Sequence, residues 1–363
     1  MKIYKFITQI SIAGCMLVGT PMLQGCMDNS LNDPLGKVSE EELGRDGFAA
    51  NAFFLTLCDY AYPIATENIY NTNESLIGDC YGRYQVMATD KFKGANFATY
   101  NAPENWLNWQ FADDNVMVLT YGAWNKIKNV TQGTGVNFAW AQILRIATMH
   151  RMLDMYGALP YSQISSDKLS APYDTMEEAY HAMFTDLTDA INVMTVYVTE
   201  NPNNRTMAKY DKVYDGDFEK WVKFANSLKL RMAIRIRFAD REYARQMAEE
   251  AINHSIGVIT SNEDNATSLG TKNQLYTVLV QWPDQCVSAD ITSYMKGYND
   301  PRMSKYFKKK TSDKGDDDYV GMRAGLSYGN DITGPTFSRI NVGEMDRTLW
   351  MSAAETDFNK AEA

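Results

Sequence analysis

The sequence predicts an all-α, mainly α-helical fold of stacked helical hairpins with a long irregular, loop-rich segment. Three observations predict it. The 363 residues are 45% apolar and 12% aromatic, enough to bury a large core and too apolar for a disordered chain. Successive stretches set apolar residues at three- and four-residue spacing, the period of a helix face. Capping and turn residues punctuate those stretches, so each helix can fold back on the next.

At the N-terminus, Lys2 and Lys5 precede a run from Phe6 to Met27 without a charged residue. That pattern is an export leader. A membrane-spanning helix is the competing reading, but Thr8, Gln9, Ser11, Gly14, Gly19 and Pro21 dilute the apolar run. Its end, Leu23-Gln24-Gly25-Cys26, resembles the bacterial lipobox, although Gln24 stands where small residues are commoner. Residues 1–25 are therefore expected to be a lipoprotein signal peptide and Cys26 the lipidated residue. Residues 26–45, with Asp28, Asn29, Ser30, Asp33, Pro34 and Gly36, read as a tether that cannot pack.

Residues 46–363 form the remaining domain. Asn137 to Tyr156 places Trp140, Ile143, Leu144, Ala147, Leu153 and Tyr156 on a wide apolar face, with Gln142, Arg145, Thr148 and Arg151 on a narrow polar stripe. Such a helix must be buried on most sides. Gly157 and Pro160 end it. Thr175 and Glu178 have capping-box spacing ahead of the apolar positions Met176, Tyr180, Met183, Leu187, Ile191 and Met194. Asp217 opens a third helix around Trp221, Phe224, Leu228 and Met232, and a fourth covers Glu242 to His254. No strict repeat of about 34 residues is visible, so the stacked architecture rests on periodicity. From Ile256 to about Arg339 the pattern gives way to Gly, Asn, Asp and Ser, the kind of segment that carries binding surfaces on a rigid scaffold.

The formal net charge of -10 repels phosphate backbones and anionic headgroups. Nucleic acid is excluded as a partner on that ground, and membrane attachment falls to the lipid. Cys58, Cys80 and Cys286 remain in the body; Cys58 and Cys80 could pair in an exported protein, or all three could be buried apolar thiols. With only His150, His181 and His254 and no CxxC, neither a metal site nor a cofactor is expected.

Several blocks, in order, carry a family resemblance: Tyr156-Gly157-Ala158-Leu159-Pro160-Tyr161-Ser162, Trp221 to Ala233 with its Lys223-Phe224-Ala225-Asn226-Ser227-Leu228 core, Asn299-Asp300-Pro301-Arg302-Met303, and Ala354 to Ala363. Together they resemble the SusD/RagB family of outer-membrane lipoproteins. The resemblance implies tetratricopeptide-like helix pairs, a lipid anchor facing the cell exterior, and a lid on a SusC-like TonB-dependent transporter that imports oligosaccharides or peptides. It also implies a C-terminal truncation, because the family usually continues beyond the block that ends here at Ala363. The family's ligand loops vary, so no binding residue transfers by motif. Physically the blocks read as scaffold, with Asp300 and Arg302 in a turn whose charges can pair.

Sugar recognition needs flat apolar rings beside planar polar groups. Two places supply them. Asn105-Trp106-Leu107-Asn108-Trp109-Gln110 sets Trp106 and Trp109 among amides, although a helix start packing into the core fits as well. Gln281-Trp282-Pro283-Asp284-Gln285 puts Trp282, with Tyr276 nearby, next to a proline that disfavours a helix. The acidic run Asp313 to Asp318 lacks the ligand spacing of a calcium loop. No GxSxG, HExxH or phosphate loop marks catalysis, so no catalytic residue is assigned and the chain is expected not to be an enzyme. Asp113 and Asp114 could serve a glycoside hydrolase only with a partner acid about 5 to 10 Å away. A helical-repeat scaffold recruiting other envelope proteins is the remaining alternative to a nutrient binder.

Overall fold

A computed structural model of the chain describes residues 48–89, 91–92, 97–111, 116–164, 170–310, 318–326 and 336–363. The leader, Cys26 and the whole tether lie outside the described residues, as do Asp113, Asp114 and residues 313–317. Helix α1 covers Phe48–Ala61. Helix α2 begins at Glu67 under a Thr66 cap and widens after Tyr70 into π-type turns over Asn71–Asp79. Strand β1 (Gln85–Met87) and helix α3 (Glu104–Phe111) follow.

Five helices then make the scaffold: α4 (Val116–Thr131), α5 (Gly135–Tyr156), α6 (Met176–Glu200), α7 (Phe218–Ile236) and α8 (Arg241–Ile252). Each packs on the next, which is the stacked arrangement the periodicity predicts. Their ends follow the cap chemistry. Thr175 Oγ1 accepts from the Glu178 N–H at 3.2 Å while the Glu178 carboxylate accepts from the Thr175 N–H at 2.8 Å. Asp217 accepts from the Lys220 N–H at 3.2 Å. Helix α5 stops at Gly157, whose φ of 78° and ψ of -138° are open only to glycine.

The core explains the breadth of the apolar face on α5. Trp140 is fully buried and stacks on Phe54 with centroids 4.3 Å apart, and Trp221 of α7 lies 5.7 Å away. Much of the polar stripe is buried too, and its groups find partners. Gln142 accepts from the Trp124 indole at 2.6 Å, and Arg145 donates to the Tyr161 hydroxyl at 2.8 Å and to Asp186 at 2.5 Å. Burial pushes His150 down to about 4, so it stays neutral there.

Beyond α8 come short elements: β2 (Ala266–Ser268), α9 (Gln274–Tyr276) with π-type turns over Thr277–Gln281, β3 (Gln285–Val287), α10 (Ala289–Gly297), α11 (Met303–Tyr306), β4 (Phe307–Lys308), β5 (Arg339–Ile340), β6 (Thr348–Met351) and α12 (Ala353–Glu362). The strands pair antiparallel, β1 with β3, β2 with β6 and β4 with β5. Sequence reading places no strands here, because two to four residues are too few to show a two-residue period. One basic side chain of α7 acts as an inward clamp. Arg231 holds Glu355 of α12 at 2.5 and 2.8 Å, the Tyr62 hydroxyl at 2.7 Å and the Trp350 carbonyl at 3.0 Å. Cys58, Cys80 and Cys286 are buried free thiols, so Cys58 and Cys80 do not pair. No described helix is long and apolar enough to cross a membrane.

Candidate functional site

The β1–β3 ladder organises the site. Gln85 faces Val287 and Met87 faces Gln285. Because the strands run in opposite directions, residues 81–84 and 288–298 leave one end while residues 88–89, 91–92 and 282–284 leave the other. Three residues of strand separate the two ends by about 10 Å. A small core of Leu76, Val86, Met87, Phe97, Trp106 and Cys286 backs the ladder.

At the first end, tyrosines face solvent. Tyr294 on α10 and Tyr298 just past its end sit one turn apart, 67% and 73% exposed, with ring centroids 4.9 Å apart. Tyr81 stacks on the exposed Tyr100 at 5.8 Å and an interplanar angle of 22°. Arg83 reaches Asp290 at 3.7 Å, and with Ser293, Tyr294, Tyr298 and Arg323 they line a groove of about 690 Å³. Arg83 and Tyr100 both carry a φ of 60°. That left-handed backbone costs a non-glycine residue about 1 to 2 kcal/mol, so the scaffold holds these loops in a conformation they would not choose alone.

At the second end, Trp282 is 38% exposed where the turns of α9 stop, its N–H donating to the Thr277 carbonyl at 2.9 Å. The Lys91 ammonium lies 5.9 Å from the ring centroid. Beneath it, buried Asp284 binds that ammonium and accepts from the Asn71 amide at 3.2 Å. Burial raises the Asp284 carboxyl, and the lysine and the amide pull against it. Lys91 is thus fixed beside the indole as a donor.

The other rings singled out in the sequence divide. Tyr276 is half-buried, and its N–H donates to Asn273 Oδ1 at 3.1 Å as part of the α9 cap. Trp106 is 9% exposed, stacked on Phe97 at 5.9 Å and met edge-on by Phe92 at 4.9 Å, so it packs the small core. Trp109 falls on α3, and its side chain lies outside the described residues. The exposed tyrosines at the first end of the ladder were not singled out. Two signals could have found them: the i, i+4 pair Tyr294 and Tyr298, and the run Tyr81-Gly82-Arg83-Tyr84 between elements.

This geometry suits binding. Ring faces match the C–H faces of sugars, and arginine and carboxylate beside them match hydroxyls. A glycosidase needs two acids across the scissile bond, and among the described residues the groove is lined by one, Asp290. Among the described residues no cluster of three or more His, Cys, Asp or Glu could hold a metal ion.

Residues 30–363 match the profile of a family described as SusD-like, the SusD and RagB outer membrane lipoproteins. No curated protein matches the sequence. Among solved structures, a SusD homologue from Bacteroides uniformis is 36% identical with a TM-score of 0.79, over 87% of this chain and 66% of that one. A SusD homologue from Bacteroides thetaiotaomicron is 32% identical with a TM-score of 0.77, over 86% of this chain and 63% of that one. A chitin-binding SusD homologue from Flavobacterium johnsoniae is 32% identical with a TM-score of 0.76, over 86% of this chain and 65% of that one. The chain therefore spans just under two thirds of the length of each of these structures.

Proposed function

This chain belongs to the SusD-like family of outer-membrane lipoproteins, and on that premise we propose that it captures an oligosaccharide at the tyrosine groove and delivers it, unaltered, to a SusC-like TonB-dependent transporter. The observation that carries the carbohydrate reading is the pair of exposed rings Tyr294 and Tyr298 lining a groove with Arg83 and Asp290, with the Tyr81–Tyr100 stack at the same end of the ladder. Trp282 with its fixed lysine offers a second contact at the far end of the ladder. The chitin-binding relative supports oligomers of N-acetylglucosamine as the first ligands to try. Attachment to the membrane is assigned to an acyl chain on Cys26, with residues 26–45 as the spacer and the domain facing outward.

The test is direct. The protein without residues 1–26 is incubated with a panel of neutral glycans, chitooligosaccharides included, and with oligopeptides. Retention of a glycan with no product is expected, and Tyr298→Ala should weaken it. Release of shorter sugars, or binding confined to peptides, would overturn the reading. Cross-linking on cells should recover a large TonB-dependent barrel; recovery of other envelope proteins without one would favour a scaffold role instead.

A further inference from the structure

A separate cavity of about 590 Å³ opens between the π-type turns of α2, the start of β1 and the β4–β5 pair. That is the size of a small-molecule site. Its walls are largely apolar and aromatic, with Tyr70, Tyr84, Val287 and Phe307 among them. Three carboxylates line it. Glu74 is held by Arg151, and Asp346, exposed to solvent, accepts from the Gly343 N–H at 2.8 Å.

Asp79 is different. Its side chain accepts one hydrogen bond, from the neutral Gln85 amide at 3.1 Å, and no ion pair among the described residues reaches it. The cations on the walls are placed otherwise. Arg347 donates to Thr267 and to the Lys212 carbonyl at 2.6 to 3.0 Å, and Lys305 pairs with no carboxylate among the described residues. A carboxylate with free lone pairs in a poorly solvated wall calls for a cationic donor, and an ammonium brings three N–H groups together with the charge.

We propose that this cavity binds a ligand through a protonated primary amine, held against the Asp79 carboxylate between aromatic walls that include Tyr70 and Tyr84. The rings add the attraction of a cation for an aromatic face. An amino sugar and a lysine side chain both present this group. Burial supports the assignment, since it pushes Asp79 up to about 7 and leaves the ionised form in need of a counter-charge. π-type turns such as those that carry Asp79 recur at functional sites. The proposal stands apart from the glycan reading, which uses the tyrosine groove.

Calorimetry on the full chain tests it with two amines, glucosamine and Nα-acetyl-lysine amide, each against its N-acetylated neutral counterpart. Both acetylated forms should bind at least about ten-fold more weakly, because they cannot carry the charge. The lysine probe keeps its own charge across pH 6 to 8, so its affinity should rise about ten-fold over that range as Asp79 ionises. Asp79→Asn should flatten this profile, which separates Asp79 from Glu74, Lys305, Asp346 and Arg347. Binding of glucosamine alone would identify an amino sugar and of the lysine probe alone a peptide, and either upholds the site. Absence of binding by both amines, equal binding of the acetylated forms, or a flat wild-type profile would overturn it. Should Asp79→Asn fail to fold, the wild-type profile and the acetylated pairs still decide. Loss of this site leaves neutral-glycan binding to be judged by Tyr298→Ala.

Discussion

Two carboxylates, Asp211 buried and Asp79 half-buried, mark the difference between the helical scaffold and the loop-rich region. Asp211, in the turn before α7, accepts from the N–H groups of Val213, Tyr214 and Gly216 at 2.9, 3.1 and 2.9 Å and from the Trp221 indole at 2.7 Å. The turn needs Gly216, since its φ is 76° and a Cβ there would lie 2.7 Å from the Ala208 nitrogen. Asp79, in the π-type turns of α2, has one neutral partner. Its surroundings repeat the contrast, for side-chain oxygens of Asn71, Asn73, Ser75, Gln274 and Gln285 are buried without a protein partner. The scaffold has exceptions, Trp140 Nε1, Thr120 Oγ1 and Arg145 Nε, but they are scattered along helices. Most polar groups of the scaffold are used up in folding, whereas several around Asp79 remain available. Stability held in one part lets the other keep strained backbone and unanswered charge.

That contrast predicts opposite responses to substitution. The largest is expected from Trp221→Ala, because Trp221 is fully buried with Trp140, Tyr214 and Phe224 at 5.7, 5.3 and 5.3 Å. A loss of about 3 to 5 kcal/mol should appear in urea unfolding, and it strips Asp211 of a donor as well. A loss below about 1 kcal/mol would mean that the scaffold does not carry the stability.

In the loop-rich region the sign reverses for Asp79→Asn. Folded Asp79 keeps its proton up to about pH 7, whereas an unfolded aspartate releases it near pH 3.9, so folding takes up a proton between those values. Stability therefore falls as pH rises through that window. The asparagine variant should melt above wild type at pH 8 and level with it below pH 4. The full shift would be about 4 kcal/mol, and solvent reaching the cavity wall reduces the expected gain to about 1 to 2 kcal/mol. A variant less stable than wild type at pH 8 would show that Asp79 has a structural partner.

The same contrast governs what was legible in the sequence. Helices α5, α6 and α7 could be read nearly to the residue, because Thr175, Glu178 and Asp217 declare their starts and apolar periodicity is a local property. The Asp300–Arg302 pair was also readable, and its bidentate contact holds Asp300 down to about 2. The candidate site was legible only in part. Trp282 could be placed on a loop from Pro283, but Trp106 and Trp282 look alike in sequence, and whether a ring face is free depends on what Phe92 and Phe97 do elsewhere in the chain. Asp79 gave no signal, since its isolation arises from β1, β4 and β5 closing around it.

Substitutions at the exposed rings separate binding from folding. Trp282→Ala should weaken glycan binding by about 1 to 3 kcal/mol, by analogy with stacking of bases on aromatic side chains. Unfolding should change by less than about 0.5 kcal/mol, because the ring is partly exposed and packs little core. Unchanged affinity would remove Trp282 from the site and leave the tyrosine groove alone. A parallel loss of stability would place it with Trp106.

The smallest effect is expected at a scaffold cap remote from both cavities. Thr175 Oγ1 satisfies the Glu178 N–H, and the Glu178 carboxylate returns the bond to the Thr175 N–H. Thr175→Ala removes one half of this exchange and should cost about 1 kcal/mol in urea unfolding, with Thr175→Ser restoring most of it. Affinity for any glycan should stay at the wild-type value, since α6 contributes no side chain to the groove or to the Asp79 cavity. If a cap on α6 altered binding as much as Trp282→Ala, the helices would be transmitting their stability into the loops, and the division between a folding region and a binding region would fail.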